Sequence, residues 1–246
     1  MGSETVQVAK GIEIIDLALY LDEENILVIA DLHIGIEDSL VKQGMLVPKF
    51  HFRDLVDRVE RIFKSLAAQK KEVKVVVING DLKHEFGRIS DEEWRNTLKM
   101  LDWLSRKCEK IVLVRGNHDT ILGPIAEKRK VMFVDSFLAG DILICHGDTI
   151  PEIPSSVKTI IIGHEHPAVS IHEDLRKETY KAFVAGKWNR KNIIVQPSLN
   201  PLMEGTDIKS EKLLSPFLQK KLDEFEVYIV ADKVYGFGKL KKLYKY

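Results

Sequence analysis

Short apolar runs alternate with amphipathic stretches along the first half of the chain. Residues 26–30 form a strand-sized apolar run. From Pro48 onward Phe52, Leu55, Val56, Val59, Ile62, Phe63 and Leu66 recur at intervals of three and four, which is one face of a helix. Residues 73–78 form a second, β-branched run, and 91–107 are again helical, with Trp94, Leu98, Leu101 and Leu104 on one face. A third strand follows at 111–114. This β-α-β-α-β order predicts a parallel sheet covered by helices.

The second half changes period. Residues 131–134, 141–145, 159–162, 168–172, 182–188 and 192–195 are short strand-like runs separated by turns, so a second, more antiparallel sheet is expected. Residues 205–216 read as an excursion with a short helix, and 227–230 with 234–237 as a terminal hairpin. No linker or repeat divides the chain, which predicts a single domain over residues 1–246.

Each strand-sized run of the first half is followed by a polar cluster: Asp31-Leu32-His33, then Gly80-Asp81-Leu82-Lys83-His84, then Gly116-Asn117-His118-Asp119. His146-Gly147-Asp148 and Gly163-His164-Glu165-His166 do the same in the second half. Ligands of open α/β sheets bind outside the carboxyl ends of the strands, so scattered clusters of this kind converge. Six of the eight histidines fall inside them; His51 and His172 read as ordinary surface or helix-face residues. Asp31 and His33 are two apart, and an extended backbone would point both to one side; His164 and His166 repeat the spacing. Asp81 adds a carboxylate able to bridge two ions, and Asn117 an amide oxygen. Carboxylates, imidazoles and an amide without thiolate suit Mn, Fe, Zn or Co rather than a structural zinc knot. Two such cations about 3.5–4 Å apart can hold a water as hydroxide and neutralise phosphate oxygens.

In this order the clusters resemble the signature of the calcineurin-like metallophosphoesterases: D-x-H, G-D, G-N-H-[DE], a later H, and G-H-x-H. The resemblance runs over about residues 25–205. It implies an α/β fold, a four-layer α/β/β/α sandwich of two mixed sheets flanked by helices. It also implies two divalent transition-metal ions, with Mn expected and Fe, Zn, Ni or Co as alternatives. Asp31, His33 and His166 would bind one ion, Asp81 would bridge, and Asn117, His146 and His164 would complete the second site. His118 would act on the substrate as an acid, with Asp119 orienting its imidazole. His84 would either contact substrate or support a ligand from behind.

Ala30-Asp31-Leu32-His33-Ile34-Gly35 and Pro197-Ser198-Leu199-Asn200-Pro201 further resemble a branch often encoded beside DNA ligase or helicase genes. Phosphoprotein phosphatases continue the second motif as G-D-x-x-D-R-G. The His84 variant found here resembles nucleases of double-strand-break repair and other phosphodiesterases. The expected function is therefore hydrolysis of phosphate esters, as a phosphodiesterase acting on single-stranded nucleic acid or nucleotides. A phosphomonoesterase or small-nucleotide hydrolase is the alternative, and a non-catalytic scaffold the third reading, disfavoured by the complete ligand set.

Composition narrows this picture. Lys plus Arg equals Asp plus Glu at 37 each, so no net field draws in a polyanion or a membrane. The basic run 239–245 reads as a solvated strand edge in preference to a contact for phosphate backbones. Apolar runs fall far short of the roughly 20 residues of a membrane span. Residues 1–9 lack the apolar core of a signal peptide, and Cys108 and Cys145 read as packing residues, so a cytoplasmic location without membrane partners is expected.

Overall fold

Residues 12–21 are almost continuously apolar, and the chain buries them by doubling back within a few residues. In the computed structural model, which describes residues 5–46, 51–86, 89–119, 122–173 and 176–243, β1 (Val6–Ala9), β2 (Ile12–Ile15) and β3 (Ala18–Leu21) form an antiparallel meander. It leads into β4 (Ile26–Ala30), again antiparallel to β3. Asp16 and Asn25, at φ 52° and 54°, make two of the reversals, as short polar residues that tolerate the left-handed region do.

Beyond β4 the expected strands and helices are found, but residues 132–134 join the first sheet and not the second as expected, because a short helix at 123–128 returns the chain to the parallel edge of that sheet. Helices α1 (Ile36–Lys42) and α2 (His51–Ala68) precede β5 (Val75–Asn79). The expected helix start at Pro48 lies outside the described residues. Helix α3 (Asp91–Leu104) leads to β6 (Lys110–Val114), and α4 (Gly123–Lys128) to β7 (Met132–Val134). Ser90 accepts from the Glu93 amide and Glu93 reaches back to the Ser90 amide, a capping box that fixes the start of α3. Strands β4, β5, β6 and β7 pair in parallel and complete the first sheet, in the order β1 to β7. Leu55, Val59, Ile62 and Leu66 of α2 and Met100, Leu101 and Leu104 of α3 are buried in one core with its strands.

The second sheet comprises β8 (Ser136–Ala139), β9 (Ile142–Cys145), β10 (Thr159–Ile162), β11 (Pro167–Glu173), β12 (Arg176–Trp188), β13 (Lys191–Val195), β14 (Thr206–Asp207), β15 (Glu226–Val230) and β16 (Val234–Lys239). It is less antiparallel than the pattern suggested, because β10 runs parallel to both β9 and β13 at its centre. Strand β12 begins at Arg176, well before the expected 182, because its polar first half pairs with β11 outside the core.

Both faces of this sheet are buried, and alternation along the strands says against what. Ile142, Ile144, Ile161, Phe183 and Ile194 pack in the core shared with the first sheet. Their neighbours Leu143, Cys145, Ile160, Ile162, Ala182, Val184, Ile193 and Val195 face a second cluster. That cluster is closed by Phe217, Leu218, Leu222 and Phe225, and by Leu240 and Leu243 of α5 (Leu240–Leu243). Two mixed sheets flanked by helices are thus present, and the outermost layer is built from short pieces. The terminal hairpin is found as expected, and the short helix of the excursion is a 3-10 turn at Pro216–Leu218. Among the described residues no helix is long and apolar enough to cross a membrane.

Residues beyond 205 carry no readable motif, yet they seal half of the second sheet. Phe217 is 1% exposed, so Phe217→Ala is expected to cost about 3–5 kcal/mol in urea unfolding. A cost below about 1 kcal/mol would show that this layer is dispensable to the core.

Candidate metal centre

Strands β4, β5 and β6 end in register, with Ala30 beside Asn79 and Asn79 beside Val114. The residues that follow them therefore leave one sheet edge together. Backbone pairing continues past the strand ends: the His33 amide donates to Asp81 O at 2.9 Å, Ile34 to Leu82 O at 3.0 Å, and His84 back to Ile34 O at 3.0 Å. The backbone here is not extended, contrary to the reading from residue spacing. Asp31, His33 and Asp81 sit at φ 53°, 42° and 46°, and His164 and His166 at 62° and 48°. Alternate residues turn into the left-handed region, so Asp31 and His33 still converge while Leu32 is buried in the core.

Such a conformation costs about 1 kcal/mol or more per non-glycine residue and needs external support. The segment Pro197-Ser198-Leu199-Asn200-Pro201 supplies much of it. The Leu199 amide donates to Ala30 O at 2.9 Å, and Ser198 Oγ to Asp31 O at 2.6 Å. Asn200 Nδ2 reaches Leu32 O at 2.7 Å and His33 O at 3.2 Å. Lys181, half-buried on β12, donates its ammonium to the carbonyls of Ser198 and Asn200.

The donors held this way fall into overlapping groups. Asp31, His33, Asp81 and His166 bring ligand atoms within 4.8 Å of one another, and so do Asp81, His146 and His164. Asp81 belongs to both. Asn117 Oδ1 lies 3.0 Å from His146 Nε2, on the side of the second group. A third group joins His33, His84 and His118. Close approach explains the glycines of two motifs: a methyl at Gly80 would land on the His146 ring, and one at Gly116 on Asp81.

Electrostatics at this cluster call for a cation. Imidazole nitrogens face each other at 3.3 Å between His33 and His166 and at 3.1 Å between His146 and His164. Burial would raise the Asp81 carboxyl, but its hydrogen bond to His146 and the surrounding imidazoles hold it below the usual carboxylate range. Burial would likewise lower His146, yet the bond to Asp81 and the charges of Asp31 and Asp81 push it up to about 9. Burial and neighbouring imidazoles lower His33, His84 and His164, leaving neutral nitrogens free to ligate. A buried pair of carboxylates ringed by imidazoles and an amide oxygen fits divalent transition metals, with no thiolate in the set.

The sequence profile of the calcineurin-like phosphoesterases matches residues 24–223. The chain belongs to the calcineurin-like phosphoesterase family. It is accordingly a metal-dependent phosphoester hydrolase, and the family implies divalent metal ions. The solved nuclease MPE of Pseudomonas putida has the same fold: 18% identity, a TM-score of 0.67, and coverage of 96% of this chain and 100% of that one. Vps29 of Entamoeba histolytica, solved with zinc, is more distant at 15% identity and TM-score 0.37, covering 86% of this chain and 96% of that one. No curated protein sequence matches the chain.

Within this phosphoesterase Asp119 has a different task from the one its position suggests. Its buried carboxylate accepts from the amides of Leu82 at 3.1 Å and Gly116 at 3.1 Å, with Lys83 at 3.5 Å. It therefore ties the second motif to the third, and among the described residues no hydrogen bond joins it to the His118 ring. Adjacent residues of a turn point apart, and three unsatisfied backbone amides capture the carboxylate. The His118 ring is held instead through Nδ1 by the carbonyl of His84, while its own amide donates to Asp81 Oδ1 at 2.9 Å. Burial, then the charge on Asp81, push Asp119 up to about 7 against these hydrogen bonds. His84 stacks on His118 at 5.6 Å between ring centres and sets Nδ1 3.4 Å from His33 Nδ1.

Glu93 has a task that the sequence reading missed. It accepts from the amides of His84 at 2.9 Å and Glu85 at 3.0 Å as well as capping α3. The Ser-x-x-Glu spacing carried that signal. Glu165, between the two histidines of the last motif, accepts from Leu214 and Ser215 at 2.8 Å and so fastens the motif to the outer layer. Nothing local in the sequence announced this. His51 opens α2, half-buried and outside the cluster. The side chain of His172 lies outside the described residues. Both cysteines are free, and burial pushes the Cys145 thiol up to about 12, far from a working nucleophile.

If Asp119 is a backbone clamp, Asp119→Asn replaces an acceptor-only group by an amide that must turn a donor toward one of the N–H groups. Urea unfolding of metal-free protein should show a loss of about 1–3 kcal/mol. Unchanged stability would contradict the clamp.

Proposed function

We propose that this phosphoesterase is a binuclear phosphodiesterase acting on single-stranded nucleic acid or nucleotides, with residues 1–246 working as one catalytic domain. The observation that carries the binuclear reading is Asp81: one carboxylate is common to two donor groups that otherwise share no residue. Asp31, His33 and His166 would hold one ion, Asn117, His146 and His164 the other, and Asp81 both. Divalent ions held there would lower the pKa of a water and neutralise phosphate oxygens. Manganese is the expected metal, with Fe, Zn, Ni and Co as alternatives, because intermediate donors without thiolate do not select strictly among them.

The rest of the chemistry belongs to the chain. His118 is anchored at Nδ1 by a backbone carbonyl, which fixes the ring and leaves Nε2 toward the cluster, 3.8 Å from Asp81 Oδ2. From there it can protonate a departing alkoxide. His84, packed between His33 and His118, keeps both rings in place and borders the substrate.

Preference for diesters rests on the sequence variant at His84 and on the branch that the first motif resembles. A fold neighbour described as a nuclease is consistent with it. A shallow mode of nucleic-acid binding follows from charge. The net charge is zero, and within the basic run Lys239 and Lys241 pair with Glu224 at 2.6 and 2.5 Å; Lys245 lies outside the described residues. A long duplex track would need many free cations.

One panel tests the reading. Metal-stripped protein refilled with Mn, Fe, Zn, Co or Ni is expected to bind two ions per chain and to cleave diesters faster than monoesters, and single strands faster than duplex. Asp81→Asn should lower occupancy at both sites. His118→Ala should keep both ions and slow turnover by about 10²–10⁴, less for a nitrophenolate leaving group. Two full sites in Asp81→Asn would remove the bridge, and metal loss in His118→Ala would make His118 a ligand. Turnover confined to monoesters would replace the diesterase reading.

A further inference from the structure

The loops after β4, β5 and β6 each deliver one histidine to a group that the two proposed catalytic sites leave over. His33, His84 and His118 bring a ring nitrogen apiece within 4.8 Å of one another. Their ring centres stand 5.3, 4.9 and 5.6 Å apart. The pairs proposed for the catalytic ions are spaced much the same, at 5.0 Å for His33 and His166 and 4.9 Å for His146 and His164. Nδ1 of His84 faces Nδ1 of His33 at 3.4 Å. Two imidazoles on one tetrahedral zinc, bonded at roughly 2.0–2.1 Å each, put their nitrogens about 3.3–3.4 Å apart.

Donor chemistry separates this group from its neighbours. Both catalytic groups mix carboxylate with imidazole, which suits manganese, whereas this one is made of imidazoles and suits zinc. His118 commits Nδ1 to the His84 carbonyl, so a cation would take Nε2, the nitrogen that must carry the proton of the acid. His33 turns Nε2 toward His166 at 3.3 Å and Asp81 at 3.7 Å, and Nδ1 toward His84. One nitrogen can therefore serve a catalytic ion and the other a further ion, once the Nδ1 proton leaves to water. We infer that His33, His84 and His118 form a third, inhibitory site for zinc, which takes the acid out of use. The inhibition rests on the reading of His118 as the acid.

The test counts metals on the full chain by mass spectrometry and follows turnover alongside. In excess manganese the chain should take up one zinc beyond its two catalytic ions. Turnover should then fall by about 10²–10⁴, the worth of the acid, and by less for a nitrophenolate leaving group. His84→Ala keeps the backbone carbonyl that anchors His118. It should hold two ions, refuse the third, and turn over at a rate, whatever its size, that zinc no longer changes. His118→Ala should refuse the third ion as well. A total of two ions, with zinc merely replacing manganese, would overturn the site, and so would a third ion that persists in His84→Ala. A third ion that His84→Ala abolishes, but that leaves turnover unchanged, would overturn the inhibition and with it the acid role of His118. Fewer than two manganese ions before zinc is added would instead overturn the binuclear reading. The extra zinc, lost or kept in His84→Ala, would then decide the third site alone.

Discussion

Five donor-bearing residues, Asp31, His33, Asp81, His164 and His166, hold their backbones in the left-handed region that side chains avoid. The rest of the centre depends on that constraint. It bends each chain away from its sheet within two residues and turns alternate side chains inward, so that donors from five loops meet. Left alone, each of these residues would relax to ordinary backbone and the donors would scatter. What prevents this is a lattice of backbone hydrogen bonds between loops far apart in sequence. Residues 31–34 pair with 80–84, and the segment from Ser198 to Asn200 closes over Ala30 to His33. The Asp119 carboxylate and Glu93 bind the amides of residues 82–85 from the other side. Strain is thus concentrated where chemistry is expected and is over-determined by its surroundings.

The two sheets make that lattice affordable. Each inner strand is buried on both faces, and each fully buried aliphatic or aromatic side chain contributes about 1.5–3 kcal/mol. Parallel strands in register deliver their ends at one edge, so the loops need no long excursions to meet. Gln196 binds the two sheets directly, its amide donating to Leu17 O at 3.1 Å and Val28 O at 3.0 Å. It stands two residues before Ser198, so the same segment that joins the sheets also clamps the first motif. Dynamics and site geometry are linked through this segment: loosening it would free both.

Much of this was legible in the sequence, and the failures have physical causes. Strands at 26–30 and 159–162 were read to the residue because apolar runs bounded by polar clusters leave little choice. The meander at 6–21 went unseen: its turn residue Asp16 lies inside an apolar stretch and breaks no visible period. Motif order pointed to convergence at one edge, since strand ends alone dictate it. The conformation of Asp-x-His did not follow from spacing, because an i, i+2 pattern fits an extended strand and alternating left-handed residues equally. What chooses between them is Ser198 and Asn200, about 167 residues away. Asp119 was assigned by adjacency, which says nothing about direction in a turn. The outer layer was unreadable for a related reason: Phe217, Leu218, Leu222 and Phe225 follow no regular period, and only the sheet they cover gives them an order.

The central claim is that the protein, and not the metal, imposes this geometry. Native-state hydrogen exchange of the His33 and Ile34 amides in metal-stripped protein tests it most directly. Both are hydrogen-bonded across loops, to Asp81 O at 2.9 Å and Leu82 O at 3.0 Å. If the loops are pre-organised, these amides will exchange as slowly as those of β4 and β5 before any metal is added, and metal will change their rates little. Fast exchange in the stripped protein, slowing only as metal binds, would contradict the account and make the ion the cause of the strained backbone.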